Sequence, residues 1–171
     1  ASLATALRTH MMAVWLEDKQ GNMVEPLTLS YKGAKKLLPH GAALLPHFYR
    51  SFEPESAEVQ ALEYTKTKAT NASFVLSTSS DLALQDLVLK MEVNVVGDGN
   101  DAYPAARKGA WSERDGQPSI VYSANLDQEI QWINYQGVTN AAGDVTKADG
   151  LTSITEHFNQ LLLEVVTSKT E

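Results

Sequence analysis

The sequence predicts an all-β protein, an antiparallel β-sandwich forming a single domain over residues 1–171. Three observations carry this expectation. Apolar and polar residues alternate cleanly from Asp86 to Val95. Further short apolar segments recur along the chain, at 8–17, 23–31, 73–78, 119–126, 129–138 and 161–166. Stretches rich in Gly, Asn, Asp and Pro separate them, the spacing expected of a sandwich rather than of helices.

Residues 8–17 (R-T-H-M-M-A-V-W-L-E) are apolar on both faces and predict a central strand covered on both sides. Asp18–Asn22 supplies turn chemistry, with Gly21 free to take positive φ. The chain returns through Met23, Val24, Leu27, Leu29 and Tyr31 to complete a hairpin. Pro26 has no N–H to give a ladder, so a bulge or an edge is expected there. In D-L-V-L-K-M-E-V-N-V (86–95), Leu87, Leu89, Met91, Val93 and Val95 share one face. Lys90, Glu92 and Asn94 share the other, which is expected to be wet. Strands are also expected at Ser73–Thr78, Ser119–Leu126, Glu129–Val138 and Leu161–Val166.

Two long insertions interrupt the strands. Residues 32–52 contain Leu-Leu-Pro-His twice, and Pro39 and Pro46 forbid one continuous helix, leaving short turns or a packed loop. Residues 97–116 form a loop with four glycines, long enough to suggest function or ordering by a partner. Thr139–Gly150 reads as a connector. Thr152–Gln160 reads as a short helix, with Ser153 and Glu156 as a capping box.

Composition narrows the function classes. The chain has 171 residues, no cysteine and a net charge of −7. At this length roughly 70% of the unfolded surface is buried on folding, so no cross-links are needed. The absence of cysteine removes disulfides, thiol catalysis and cysteine-ligated metals. The acidic balance opposes nucleic acid, whose phosphates call for Lys and Arg. No apolar run reaches the roughly 18 residues of a membrane-spanning helix.

The run M-A-V-W-L-E-D-K-Q-G-N-M-V (12–24), followed by an apolar strand and L-L-P-H-F-Y-R (44–50), resembles a bacterial group of predicted periplasmic proteins, domain of unknown function 2271. The resemblance covers residues 11–50. It implies an immunoglobulin-like sandwich, exported to the periplasm or cell exterior as a mature form after removal of a signal peptide. It supplies no catalytic residues. Members of the group carry an additional strand where this chain has A-S-L-A-T-A-L.

No Gly-x-Ser-x-Gly, His-Glu-x-x-His or Walker pattern is present. Gly97-x-Gly99-x-x-Ala102 has the outline of a dinucleotide fingerprint, but the strand before it alternates and Pro104 follows at once. His40 and His47, each after a proline, are the candidate metal ligands, against a reading in which they are wet histidines of a packed loop. Asp98, Asn100 and Asp101 offer oxygen ligands for calcium. An EF-hand would also need an oxygen donor at 102 and Glu at 109, and the chain has Ala102 and Gly109. An Asx-type turn is the competing reading. Trp111, Tyr103 and Arg107 in the 97–116 loop, with Phe48 and Tyr49, have the character of interface anchors; the competing reading is a loop folded over the sandwich end with Trp111 as its plug. Trp15 and Trp132 are expected in the core or on a sheet face. Lys32, Lys35 and Lys36 read as a solvated face, and Asn71-Ala72-Ser73 as a chance glycosylation sequon.

Three functional expectations follow from these residues. The first is a non-enzymatic binding or accessory module of the cell envelope, with a protein partner and no cofactor. The second is a structural subunit that self-assembles by strand addition, with the uncharged segment bearing Ala1, Leu3 and Leu7 as donor. The third is a metal-binding protein using His40 and His47.

Overall fold

Strand β1 (His10–Asp18) organises the molecule. Every side chain from Met11 to Glu17 is buried, as its two-faced apolar sequence predicts. The computed structural model describes residues 10–30, 44–51, 64–65, 76–78, 80–95, 98–104, 116–152, 155, 158 and 160–166. Met12, Val14 and Leu16 enter one core; Met11, Ala13 and Trp15 enter a second, on the opposite face.

The first hairpin forms as expected. β2 (Met23–Ser30) runs antiparallel to β1, and Gly21 takes φ +82° in the turn. Asp18 Oδ1 accepts the Gln20 and Asn22 N–H groups, closing an Asx-type turn. Pro26 stands opposite Trp15, and the ladder is irregular on both sides of that point. A residue without an N–H is absorbed by a bulge there.

β4 (Leu87–Val95) pairs with β1 on one edge and β5 (Ile120–Asn125) on the other. The residues Glu129–Val138, expected as one strand, divide at Ile133 into β6 (Ile130–Trp132) and β7 (Asn134–Thr139). Ile133 donates its N–H to Leu161 O, which ties β6 to a different sheet from β7. The expected connector 139–150 contains a further short strand, β8 (Val145–Thr146), paired with β7. Residues 76–78 of the strand expected at 73–78 lie in no strand, and 73–75 are outside the described residues. The capping-box residues Ser153 and Glu156 are also outside them.

The fold is all-β, in two sheets. The larger has the order β3-β2-β1-β4-β5-β7-β8, where β3 (Tyr64–Thr65) is parallel to β2 and every other pairing is antiparallel. The smaller pairs β6 with β9 (Leu162–Glu164). Leu161, Leu163 and Val165 pack from the small sheet onto the core formed by Leu87, Leu89, Met91, Ile120 and Tyr122. The opposite face of the large sheet is covered by one helical turn, α1 (Pro46–Tyr49). Among the described residues no helix is long and apolar enough to cross a membrane.

One expectation is reversed. The polar row of β4 is not wet: Glu92 and Asn94 are buried, because the 44–49 segment lies over them.

Candidate functional site

The residues covering that polar row form a closed network. Pro46 stands in the first turn of α1, where its missing N–H costs nothing. The His47 and Phe48 N–H groups then remain as orphan donors. Glu92 Oε1 accepts from His47 N at 3.2 Å, and Oε2 accepts from Phe48 N at 2.7 Å. Ser119 Oγ donates to Glu92 Oε1 at 2.6 Å and is itself in a short contact with Thr139 Oγ1. Asn94 Nδ2 donates to Leu44 O at 2.9 Å. Burial pushes the Glu92 carboxyl up to about 7, against these hydrogen bonds and the Arg50 charge, which pull it down.

His47 donates from Nδ1 to Gly143 O at 2.7 Å, so the neutral ring carries its proton there. Its Nε2 is buried and has no partner among the described residues. Burial lowers the pKa of this ring, and Arg50 and Lys90 lower it further, while the Gly143 contact and Glu17 raise it. Trp15 stacks obliquely on His47 and Phe48, with ring centroids 5.6 and 5.5 Å away, and donates Nε1–H to Glu17 Oε1. A buried carboxyl with a raised pKa is often a catalytic group. Here both carboxyl oxygens are engaged in holding α1 to the sheet, so the arrangement is a structural clasp.

This corrects two expectations. Phe48 and Tyr49 are core residues rather than anchors at a partner surface, because α1 turns them onto Trp15. His47 is buried and not a wet histidine, and among the described residues it joins no ligand set. Its expected companion His40 lies outside the described residues. Among the described residues no three His, Cys, Asp or Glu side chains gather as a metal site.

The acidic loop residues serve as turn chemistry. Asp98 accepts from Gln117 N and Nε2, and Asn100 accepts Tyr103 N while donating to Gly150 O. Asp101 is exposed beside them. Tyr103 is half-buried and donates its hydroxyl to Asp149 O, which ties the loop to the 149–152 segment. Trp111, Arg107, Ala1, Leu3, Leu7, Lys32, Lys35, Lys36 and the sequon at 71–73 lie outside the described residues.

The surface that stands out is one to which the sequence motifs do not point. Large apolar side chains are exposed around the small sheet: Ile130 at 57%, Trp132 at 56%, Leu162 at 59% and Val166 at 79%. Trp132 and Leu162 are directly opposite each other in the β6–β9 ladder, so they form one outward pair. Trp132 separates two open grooves. One, of about 300 Å³, is lined by Tyr122, Tyr135, Phe158 and Leu161. The other, of about 550 Å³, is lined by Gln128, Ile130, Gln131 and Leu162. Tyr135 meets Tyr122 edge to face at 6.2 Å, and the Tyr122 hydroxyl donates to Phe158 O. The sequence signal for it is L-L-L-E-V-V, in which Leu161, Leu163 and Val165 fall on one face while Leu162 and Val166 put apolar residues on the other.

The edge of β9 is as open as its face. Ile133 N donates to Leu161 O and Val165 N donates to Glu129 O, both at 2.8 Å, with Gln131 opposite Leu163 between them. Odd-numbered residues of β9 therefore turn their backbone groups toward β6. Leu162 and Glu164 turn theirs away. Neither has a backbone partner on that outer side among the described residues.

Comparison with protein-family models, curated proteins and solved structures finds no match to this chain.

Proposed function

We propose that the protein is a non-enzymatic binding module that accepts an extended strand from a protein partner at the outer edge of β9. The single observation behind this reading is the open edge: Leu162 and Glu164 present backbone donors and acceptors outward, beside exposed Trp132 and Ile130. Proteins guard such edges with short strands, charged side chains, Pro, bulges or a covering segment. β9 is short and carries Glu164, but Leu162-Leu163-Glu164 has no Pro, Lys or bulge. Strand addition uses main-chain bonds for affinity and alternate side chains for specificity, and this edge has both parts. The setting in this proposal, the periplasm or cell exterior, comes from the resemblance over residues 11–50.

The test uses amide exchange of the purified chain, read residue by residue by NMR. Three synthetic peptides serve as probes: residues 158–168 of the chain, residues 1–9 of the chain, and an unrelated alternating Val-Thr peptide. At least one of them is expected to slow exchange at Leu162 and Glu164 and to leave Leu87–Val95 unchanged. Free exchange at both positions with all three peptides overturns the reading. The residue 1–9 peptide is the arm that distinguishes a filament subunit with an N-terminal donor strand.

A further inference from the structure

An added strand must meet three demands at β9. It must bond the outward groups of Leu162 and Glu164, cover Leu162, and keep a carboxylate away from Glu164. β9 itself meets all three when it runs antiparallel to a second β9. Outward backbone groups occur at even positions, so the symmetric registers place 162 opposite 162, 162 opposite 164, or 164 opposite 164. The last sets Glu164 against its own copy and is disfavoured. The first sets Leu162 against Leu162 and Glu164 against Gln160, an uncharged partner able to donate to a carboxylate.

That register also joins the apolar surfaces. Trp132 lies opposite Leu162 within each chain, so the row across four strands reads Trp132, Leu162, Leu162, Trp132. All four are exposed in the single chain. A two-stranded sheet is marginal in water, and pairing makes it four-stranded. We infer that the strand taken up at β9 is the β9 of a second copy of this chain, in a twofold antiparallel pairing centred on Leu162. This rests on the strand-addition reading above and adds the partner and the register. A twofold pairing is closed, so it yields a dimer and not a fibre.

Sedimentation equilibrium of the full chain tests it. The wild type is expected to show a concentration-dependent rise to twice the chain mass. Leu162→Lys is expected to weaken the dimer at least about tenfold by placing two cations at the axis. Its circular dichroism is expected to match the wild type, since Leu162 is exposed. The register is tested by sign. Gln160→Lys faces Glu164 of the second copy twice and is expected to tighten the dimer about fivefold. Gln160→Glu is expected to loosen it by a similar factor. A monomer at every concentration, a dimer indifferent to Leu162→Lys, or Gln160 variants without opposite effects overturns the inference. If the chain is monomeric yet a peptide still protects Leu162 and Glu164, only the second copy is lost. If nothing protects them, strand addition falls as well.

Discussion

The two covers of the large sheet invert the usual distribution of polarity. On one face, under α1, the chain buries a carboxylate, an amide, an imidazole and two hydroxyls. On the other, the small sheet shows a tryptophan, an isoleucine and a leucine to solvent. The difference lies in what each cover must satisfy. α1 is a single turn whose orphan N–H groups need acceptors, and a polar row on β4 supplies them. The small sheet has only two strands, so one face and both outer edges have no further strand against them among the described residues. Polarity along a strand therefore states which residues share a face. Whether that face is covered depends on segments remote in sequence.

The largest test of this contrast is Glu92→Ala. It strands two buried N–H groups of α1 and leaves a void beside Ser119, for an expected loss of about 3–5 kcal/mol in urea unfolding. A loss below about 1 kcal/mol would show that α1 does not depend on the clasp.

Next in size is the pH response. The Glu92 carboxyl has an ordinary value of 4.5 and stands at about 7 in the fold. Between these values the folded chain holds a proton that the unfolded chain releases. Stability is thus greatest at the low end of this window and falls as pH rises through 7, by about 3 kcal/mol. The network can house the proton: once protonated, Glu92 Oε1 would donate to Ser119 Oγ, whose own proton would turn to Thr139 Oγ1, while Oε2 still accepts from Phe48 N. His47 works the other way. Its pKa is lowered, so the unfolded chain takes up a proton below about 6.5 that the folded chain refuses, and stability falls as pH drops. In Glu92→Gln the falling slope is expected to vanish between pH 5 and 8. The weaker rising slope of His47 is then left, visible in melting temperatures across that range.

The sequence made one half of the contrast legible and hid the other. β1 could be read as doubly covered because Met11 to Leu16 offer no polar face at all. The bulge at Pro26 could be read because a missing N–H has only one consequence in a ladder. Alternation predicts a wet Glu92 and Asn94 because it gives the face and not the cover, and the cover comes from residues 45 to 50 positions away. The same gap misplaced Phe48 and Tyr49, whose aromatic character suits an interface and a core equally. The division at Ile133 depended on Leu161, 28 residues on, which no local pattern announces. The open edge of β9 is a property of pairing, and a single strand's sequence does not state how many neighbours it has.

Gly143→Ala is the next smaller test, and it probes how the β7–β8 turn holds the clasp from outside. Gly143 has φ +82°, and a Cβ there would lie 2.5 Å from Pro46 O. Asn140 shapes the turn by accepting the Ala142 and Asp144 N–H groups, which sets Gly143 O on His47 Nδ1. Alanine is strained in that backbone and pushes α1 away, for an expected loss of about 1–3 kcal/mol. His47 then reaches water, so its imidazole titrates closer to its ordinary value by NMR. A normal titration shift with unchanged stability would separate the turn from the clasp.

The smallest effect is expected where the side chains look most apolar. Leu162→Thr, measured by urea unfolding at concentrations where the chain is monomeric, should lie within about 0.5 kcal/mol of the wild type. Leu162 is more than half exposed, its main-chain groups face away from β6, and threonine suits a strand as well as leucine does. A core leucine of similar size such as Leu89 would lose several times more on the same change, since a hydroxyl would be buried without a partner. If Leu162→Thr costs as much as Leu89→Thr, the outer face of the small sheet is covered by this chain itself. The contrast between the two covers then disappears, and with it the surface on which strand addition rests. If the cost is small, the apolar stripe contributes little to folding, as the strand-addition proposal expects.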